Sequence, residues 1–296
     1  MEFQDRFQTE VACLDYLAVS RWPEGFICPG CGGHRAWVLE RRHLWECAAC
    51  SLRSLRERLM HRTRTPLRTW FWAAYLVATH HPGISAKQLQ RQLGLSRYET
   101  AWLILQKLRR AMVAPERSPL TGEVEIDEFW LGGYEEGLKG SRQHGKKALV
   151  GAAIEVRGAG SGRLRLQVLA NSRARTLEAF TNATTARGAI VHTDGLNSYA
   201  GLAKLGYQHR PRKQTGAELG NELLPRVHRA ISNLKAWMHG THRGVSNEHL
   251  PVYLDEFVFR HNRRGTPMAA FQTLLGLGAI HDPTTYGEIT ALRQPA

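Results

Sequence analysis

The sequence predicts a chain of three parts that differ in class: a small β module, an all-α helix-turn-helix region and a C-terminal α/β domain. Three observations predict it. Two C-x2-C pairs, CPGC at 28–31 and CAAC at 47–50, sit among short alternating segments. Two helical runs follow, with a glycine between them and a serine ahead of each. Beyond residue 122 the text becomes three strands, a helix and a fourth strand.

At 296 residues there is ample material for more than one buried core. Lysine and arginine number 40 against 26 acidic residues, a net charge of +14. The basic residues are spread along the chain, which favours a polyanionic partner, nucleic acid above all. No apolar run reaches 18 residues, and MEFQDRFQTE lacks the basic start and apolar core of a signal peptide. A cytoplasmic protein with no membrane partner is expected.

Residues 1–25 hold a short amphipathic helix with Phe7, Val11, Leu14 and Leu17 on its apolar side, closed by Trp22-Pro23. Residues 26–60 form the β module. Fifteen residues separate the two cysteine pairs, the spacing of a zinc ribbon. Thiolates three apart on a tight turn both reach one tetrahedral ion, so Cys28, Cys31, Cys47 and Cys50 are expected to hold a structural Zn2+ with no open position. His34 and His43 read as surface residues. Residues 65–112 form the helix-turn-helix region. Pro66 starts a buried helix, Ser85 caps a second, Gly94 breaks it, and Ser96 with Glu99 opens a third. That last helix presents Arg97, Tyr98 and Lys107 as DNA contacts, the alternative being a helix pair with no nucleic-acid role.

The α/β domain is placed at 118–275, with a tail at 276–296. Its strands are read at 123–133, 148–156, 163–170 and 189–194, with a helix at 174–185 and two more near 225–239 and 248–262. This is the order of a ribonuclease-H-like core. Asp127 lies in the first strand and Asp194 ends the fourth, just before Gly195. In such a sheet those strands are neighbours, so both carboxylates can face one hard cation. Glu125 shares the strand face of Asp127 and reads equally as a rim charge, whereas Glu128 faces the other way.

Three stretches carry a resemblance: IDEFWLGG around Asp127, VHTDGLNSY around Asp194, and HRAISNLKAWMHGTHRGVSNEHLPVYLDEFVFRHNRR at 228–264. Together with the zinc ribbon and helix-turn-helix they resemble bacterial insertion-sequence transposases of the ISXO2-like branch of the IS1595 family. The resemblance implies a DDE-type core in which two aspartates and a third polar residue hold two divalent ions, Mg2+ or Mn2+. It also implies binding to the transposon's terminal inverted repeats, strand cleavage and strand transfer, and a homodimer or larger assembly on double-stranded DNA.

Where such enzymes carry a glutamate, 34 residues after the second aspartate, this chain has His228, and seven residues on it has Lys235. Seven residues is nearly two helical turns, so these two share a face. Asn233 is the alternative third member but points about 140° away from His228 on an ideal helix. Glu222 is a more distant candidate. The expected set is therefore Asp127, Asp194 and His228 on metal, with Lys235 on a DNA phosphate. Arg260, Arg263 and Arg264 read as a second phosphate-contacting patch, and the histidines of HGTHRG as DNA-facing or solvated. The rival reading is a catalytically decayed DNA-binding protein, favoured only by the missing glutamate. A guide-dependent or structure-specific nuclease would share the core without calling for this helix-turn-helix.

Overall fold

The computed structural model describes residues 2–39, 44–55, 59–60, 63–114, 117–132, 145–212, 223–280 and 284–291. The chain divides into two compact units, one of residues 1–114 with 265–296 and one of residues 115–264.

In the first unit, α1 (Glu2–Arg6) and α2 (Glu10–Arg21) precede a three-stranded antiparallel sheet in the order β1 (Ala36–Leu39), β2 (Leu44–Cys47), β3 (Arg53–Leu55). Its core is Phe26, Cys28 and Cys47, with Trp22 and Trp45 packed on them. A sheet this small with so few buried side chains needs a cross-link to stand. Next come α3 (Leu67–Thr79), α4 (Ala86–Gln92) and α5 (Tyr98–Ala111). The Glu10 carboxylate caps α3, accepting from the backbone N–H groups of Leu67 at 2.7 Å and Arg68 at 3.1 Å. Ser85 caps α4 by accepting from the Gln88 N–H at 3.2 Å. The cap of α5 is Arg97, without a side-chain hydrogen bond, and not Ser96 as the sequence suggested.

Two further helices, α9 (Pro267–Ile280) and α10 (Tyr286–Thr290), belong to this same unit, so residues from 265 on do not close the α/β domain as the sequence boundary at 275 had them. The reason is apolarity on every side of PMAAFQTLLGLGAI, which no single sheet face can cover. Instead α9 packs against α2, α3 and α5. Phe271 sits 5.3 Å from the Phe3 ring and 5.9 Å from that of Phe7.

The second unit is a five-stranded sheet. An antiparallel meander, β4 (Glu123–Leu131), β5 (Ala148–Arg157) and β6 (Gly160–Leu169), is followed by α6 (Ala174–Thr184) and then by β7 (Ile190–Thr193) and β8 (Gln208–Pro211). The spatial order is β6-β5-β4-β7-β8, and β7 pairs in parallel with both β4 and β8. A 3-10 helix, Asn197–Leu205, links β7 to β8. One sheet face carries α7 (Pro225–Trp237) and α8 (Leu250–Asn262), and the other carries α6 and the 3-10 helix. Covered on both faces, β5 reads as a nearly unbroken apolar run, ALVGAAIEV. Gly151 within it is closely packed, because a Cβ there would stand 3.0 Å from Leu169 and 3.1 Å from Phe180 and both side chains would have to give by a few tenths of an ångström.

At the far end of β5, Glu155 is buried and accepts from the Thr121 N–H at 3.1 Å, the Arg163 N–H at 3.1 Å and the Arg163 guanidinium at 2.5 Å. Burial alone would raise its carboxyl, but the hydrogen bonds from Arg163 and Thr121 outweigh it and hold the group at about 2. A depressed carboxylate stabilises the fold above its unfolded value of 4.5 and loses that contribution as pH falls toward 2. Glu155→Gln should therefore cost about 3 kcal/mol at neutral pH, because the carboxylate charge that Arg163 and the two backbone N–H groups stabilise is lost. Urea unfolding at pH 7 and pH 3 checks this: the gap between variant and wild type should narrow at the lower pH, and an unchanged gap would mean that the ion pair is not its source.

Candidate metal centres

Along β4, alternate residues Glu125, Asp127, Phe129 and Leu131 share one face. Phe129 and Leu131 belong to the core that includes α7, so this row looks toward that helix. Glu125, 0% exposed, accepts from the backbone N–H of Arg226 at 2.8 Å and of Val227 at 3.0 Å, and pairs with the Arg226 guanidinium at 3.0 Å. It is not a rim charge. A carboxylate on the strand satisfies orphan N–H groups in the first turn of α7 and so fixes where that helix begins. A second tie acts just upstream, where Arg212 donates to the Leu223 carbonyl at 2.9 Å and to His192 Nδ1 at 3.3 Å. Since an arginine N–H only donates, Nδ1 accepts, and Nε2 carries the proton toward Glu123 at 3.1 Å.

One turn into the helix so anchored, His228 Nε2 stands 3.2 Å from Asp127 Oδ2, with side chains 37% and 16% exposed. Two turns further on, Lys235 Nζ lies 5.3 Å from the Phe129 ring centroid. The strand row and the helix face thus run side by side. Asn233 is exposed at a different angle on the same helix. Glu222 lies outside the described residues, as does His43.

Asp194 arrives from β7. The parallel register pairs Val124 with Val191 and Glu125 with His192, and continued by two residues it sets Asp194 level with Asp127 on the adjoining strand. Burial raises the Asp127 carboxyl above the ordinary range, His228 lowers it, and the Asp194 charge raises it further. Asp194 is also a turn residue, its Oδ1 accepting from the Leu196 N–H at 3.0 Å across Gly195, whose φ is +85°. The two roles are compatible because the second oxygen is free of that turn bond.

The sequence did not single out the neighbour of this pair. Glu128 faces the other side of the sheet, as expected, and there accepts from the hydroxyl of the fully buried Tyr199 at 2.5 Å. Burial first, then the charges of Asp127 and Asp194, push its carboxyl up to about 7 against the pull of the Tyr199 hydrogen bond. A link across 71 residues has no sequence signal beyond the presence of both residues in the two aspartate motifs.

In the β module, Cys28, Cys31, Cys47 and Cys50 have their sulfurs within 4.8 Å of one another, the one such group of metal-ligating side chains among the described residues. Cys28 and Cys50 are 3.6 Å apart, as are Cys31 and Cys47. A tetrahedron with metal–sulfur bonds of about 2.3 Å has edges of about 3.8 Å, so the spacing fits zinc. Backbone N–H groups of Gly30 and Ala49 donate to Cys28 and Cys47, each at 3.4 Å. The Leu52 N–H lowers the Cys50 thiol, yet Cys31, burial and Cys28 push it up to about 12, a repulsion that a dication at the centre removes.

Several cations expected on DNA turn inward. Lys107 is half-buried at 5.9 Å from the Trp70 ring, and burial lowers its amine. Arg260, its side chain 13% exposed, lies 3.8 Å from Glu256 on the same helix. Arg263 stacks 4.2 Å over Phe259, and burial lowers it also. Arg264 is exposed, donating to the Ser161 carbonyl at 2.6 Å. Charge alone did not reveal which stems lie on apolar surface. Arg97 and Tyr98 are exposed at the start of α5. The His242 ring is held between Trp237 at 4.5 Å and Tyr253 at 4.9 Å, which makes it a packing residue.

Among the described residues no helix is long and apolar enough to cross a membrane. Residues 119–262 match the model of the ISXO2-like transposase domain, and residues 8–53 that of the transposase zinc-ribbon domain. The chain is 28% identical over 284 residues to a Halobacterium salinarum protein described as an uncharacterized protein in transposable element ISH50, which covers 86% of this chain and 91% of the relative. Among solved structures it is matched by the Mos1 strand transfer complex at 13% identity and a TM-score of 0.22, covering 70% of this chain and 78% of that one, a likeness too slight to build on.

Proposed function

The chain belongs to the ISXO2-like transposases, and from that premise we propose that it binds the ends of an insertion sequence and cuts and joins DNA with Asp127, Asp194 and His228. The observation that carries this reading is the convergence of three separate elements: Asp127 on β4, Asp194 at the end of the neighbouring β7, and His228 on a helix tied down by Glu125. In this reading residues 115–264 are a ribonuclease-H-like catalytic domain. The zinc ribbon and the α4–α5 pair recognise the ends, with Arg97 and Tyr98 at the contact surface. A homodimer or larger assembly holds two ends.

Two carboxylates and an imidazole are hard oxygen and nitrogen donors of the kind that Mg2+ or Mn2+ takes, though their ligand atoms are not gathered as closely as the four sulfurs. Divalent ions bound there supply activation of the attacking oxygen and neutralisation of the leaving one. The chain's own residues do the rest. Glu125 and Arg212 fix the start of α7 and so the distance of His228 from Asp127. Lys235, seven residues along, offers a point charge to a phosphate of the strand. His228 contributes no negative charge when neutral, so substrate phosphate carries more of the ion binding than in a three-carboxylate site.

Strand transfer by purified protein on its element's own ends tests this. Wild type should join DNA in Mg2+ or Mn2+, and Asp194→Ala and His228→Ala should each lose roughly a thousandfold, a few kcal/mol of transition-state stabilisation, while still binding the ends. Asn233→Ala should retain joining. A wild-type protein that binds but never cuts would instead be a DNA-binding relic.

A further inference from the structure

We propose that a pocket further along the strand that carries Asp127 takes a single unstacked nucleotide of the strand being cut, an inference that rests on the catalytic reading above. The pocket, about 460 Å³, lies where β4, α7 and the turn after α7 meet. Its floor is aliphatic, from Leu131, Met238 and Val245, and its rim is cationic, from Lys147, Lys235 and Arg243. A phosphate alone would leave the floor unmatched. A base alone would leave the three cations unmatched. A nucleotide drawn out of its stack presents an apolar base face and an attached phosphate together, which suits both.

Position supports the same occupant. Leu131 lies four residues beyond Asp127 on the same strand row, about 14 Å at 3.4 Å per residue. That is the length of about four stacked nucleotides, and of fewer once the strand is drawn out. Lys235 shares the helix face of His228 and also lines the pocket, so one side chain belongs to both places.

The turn that forms the far wall is built with some strain. After α7 the backbone widens into a π-helical turn, Met238–His242, and Arg243 and Gly244 then follow at φ values of +56° and +115°. A non-glycine residue in that region costs on the order of 1 kcal/mol or more and persists where packing enforces it. Here the enforcement is the clasp of His242 between Trp237 and Tyr253, together with Asn247, which donates to the Lys146 carbonyl at 2.8 Å. The strained residue is the one that places a guanidinium on the pocket rim.

The test is 2-aminopurine fluorescence, with the base analogue placed in turn at each position within four nucleotides of the cut in the element's end duplex. The full-length protein should raise the signal several-fold at one position by unstacking that base. Arg243→Gly, which suits the backbone of the turn and removes the side chain with its charge, should abolish most of that rise and lower the salt slope of end binding by about one. Val245→Glu should abolish the rise too, whereas Asp194→Ala should keep it while losing cleavage. A wild type that cuts DNA with no rise at any position, or a rise undiminished in both pocket variants, overturns the proposal. A rise without any cutting in Mg2+ leaves the pocket standing and removes the catalytic reading.

Discussion

Stripping the metal with a chelator, or making Cys47→Ser, should unfold residues 26–55 while residues 148–169 of the α/β unit keep their protection. Binding of structural zinc in small modules is folding free energy, on the order of 10 kcal/mol. The β module has little else to hold it. Its buried core is three residues, two of them cysteines, and Phe26 and Trp45 stack at 5.2 Å over the same small volume. Without a dication, four sulfurs within 4.8 Å of one another either protonate or separate. Hydrogen exchange measured by peptide before and after chelation gives the answer directly. Slow exchange at Trp45 and Cys47 after complete metal removal would show that the aromatic stack alone suffices. Binding of the transposon ends should fall with the ribbon, because that unit carries the proposed recognition surface.

Glu125→Ala should be the most damaging single change in the α/β unit outside the metal-facing residues. It removes the anionic partner of the Arg226 guanidinium and the acceptor of two helix N–H groups, at a fully buried carboxylate. Breaking a buried pair in this way costs about 3–5 kcal/mol. Joining should be lost as well, since His228 is held through the start of α7. Glu125→Gln separates the two effects: one amide oxygen still accepts from the helix N–H groups, so the fold should be largely recovered while the charge pairing with Arg226 is not. Denaturant unfolding and strand transfer on the two variants, read together, check it. Equal stability of Glu125→Ala and wild type would mean that α7 is positioned by its apolar face alone.

Local sequence signals carried much of the fold and of the placement of the candidate residues. The cysteine pairs, the serine ahead of α4, the apolar run of β5 and the glycine after Asp194 each act within a few residues, and each is placed as read. The candidate His228 came from a fixed interval after Asp194 that ends on a helix face shared with Lys235, and its ring lies 3.2 Å from Asp127. What escaped depends on partners far away in the chain. Glu125 meets Arg226 and Val227 across about a hundred residues, and strand alternation gives its face but not what covers it. The same holds for Glu128 and Tyr199. β8 escaped for another reason, as QHRP is short and polar and becomes a strand only because β7 offers it an edge. Lys107, Arg260 and Arg263 were read by charge, while Lys107 and Arg263 lie against aromatic rings and Arg260 against Glu256.

The return of α9 to the first unit bears on the order of events at the ribosome. Phe3, Phe7 and Phe71 emerge early, yet the ring that completes their cluster, Phe271, is made only after the whole α/β unit. Translation of the 166 residues from 115 to 280 takes roughly 8–33 s at about 5–20 residues per second. Through that interval the nascent N-terminal unit has an open core, whereas residues 115–264 have all they need to fold as soon as they are released. The unit proposed to cut is therefore complete before the unit proposed to grip is closed. Premature termination anywhere before residue 265 leaves the first unit without α9 and α10, and so without the side chains that close its core.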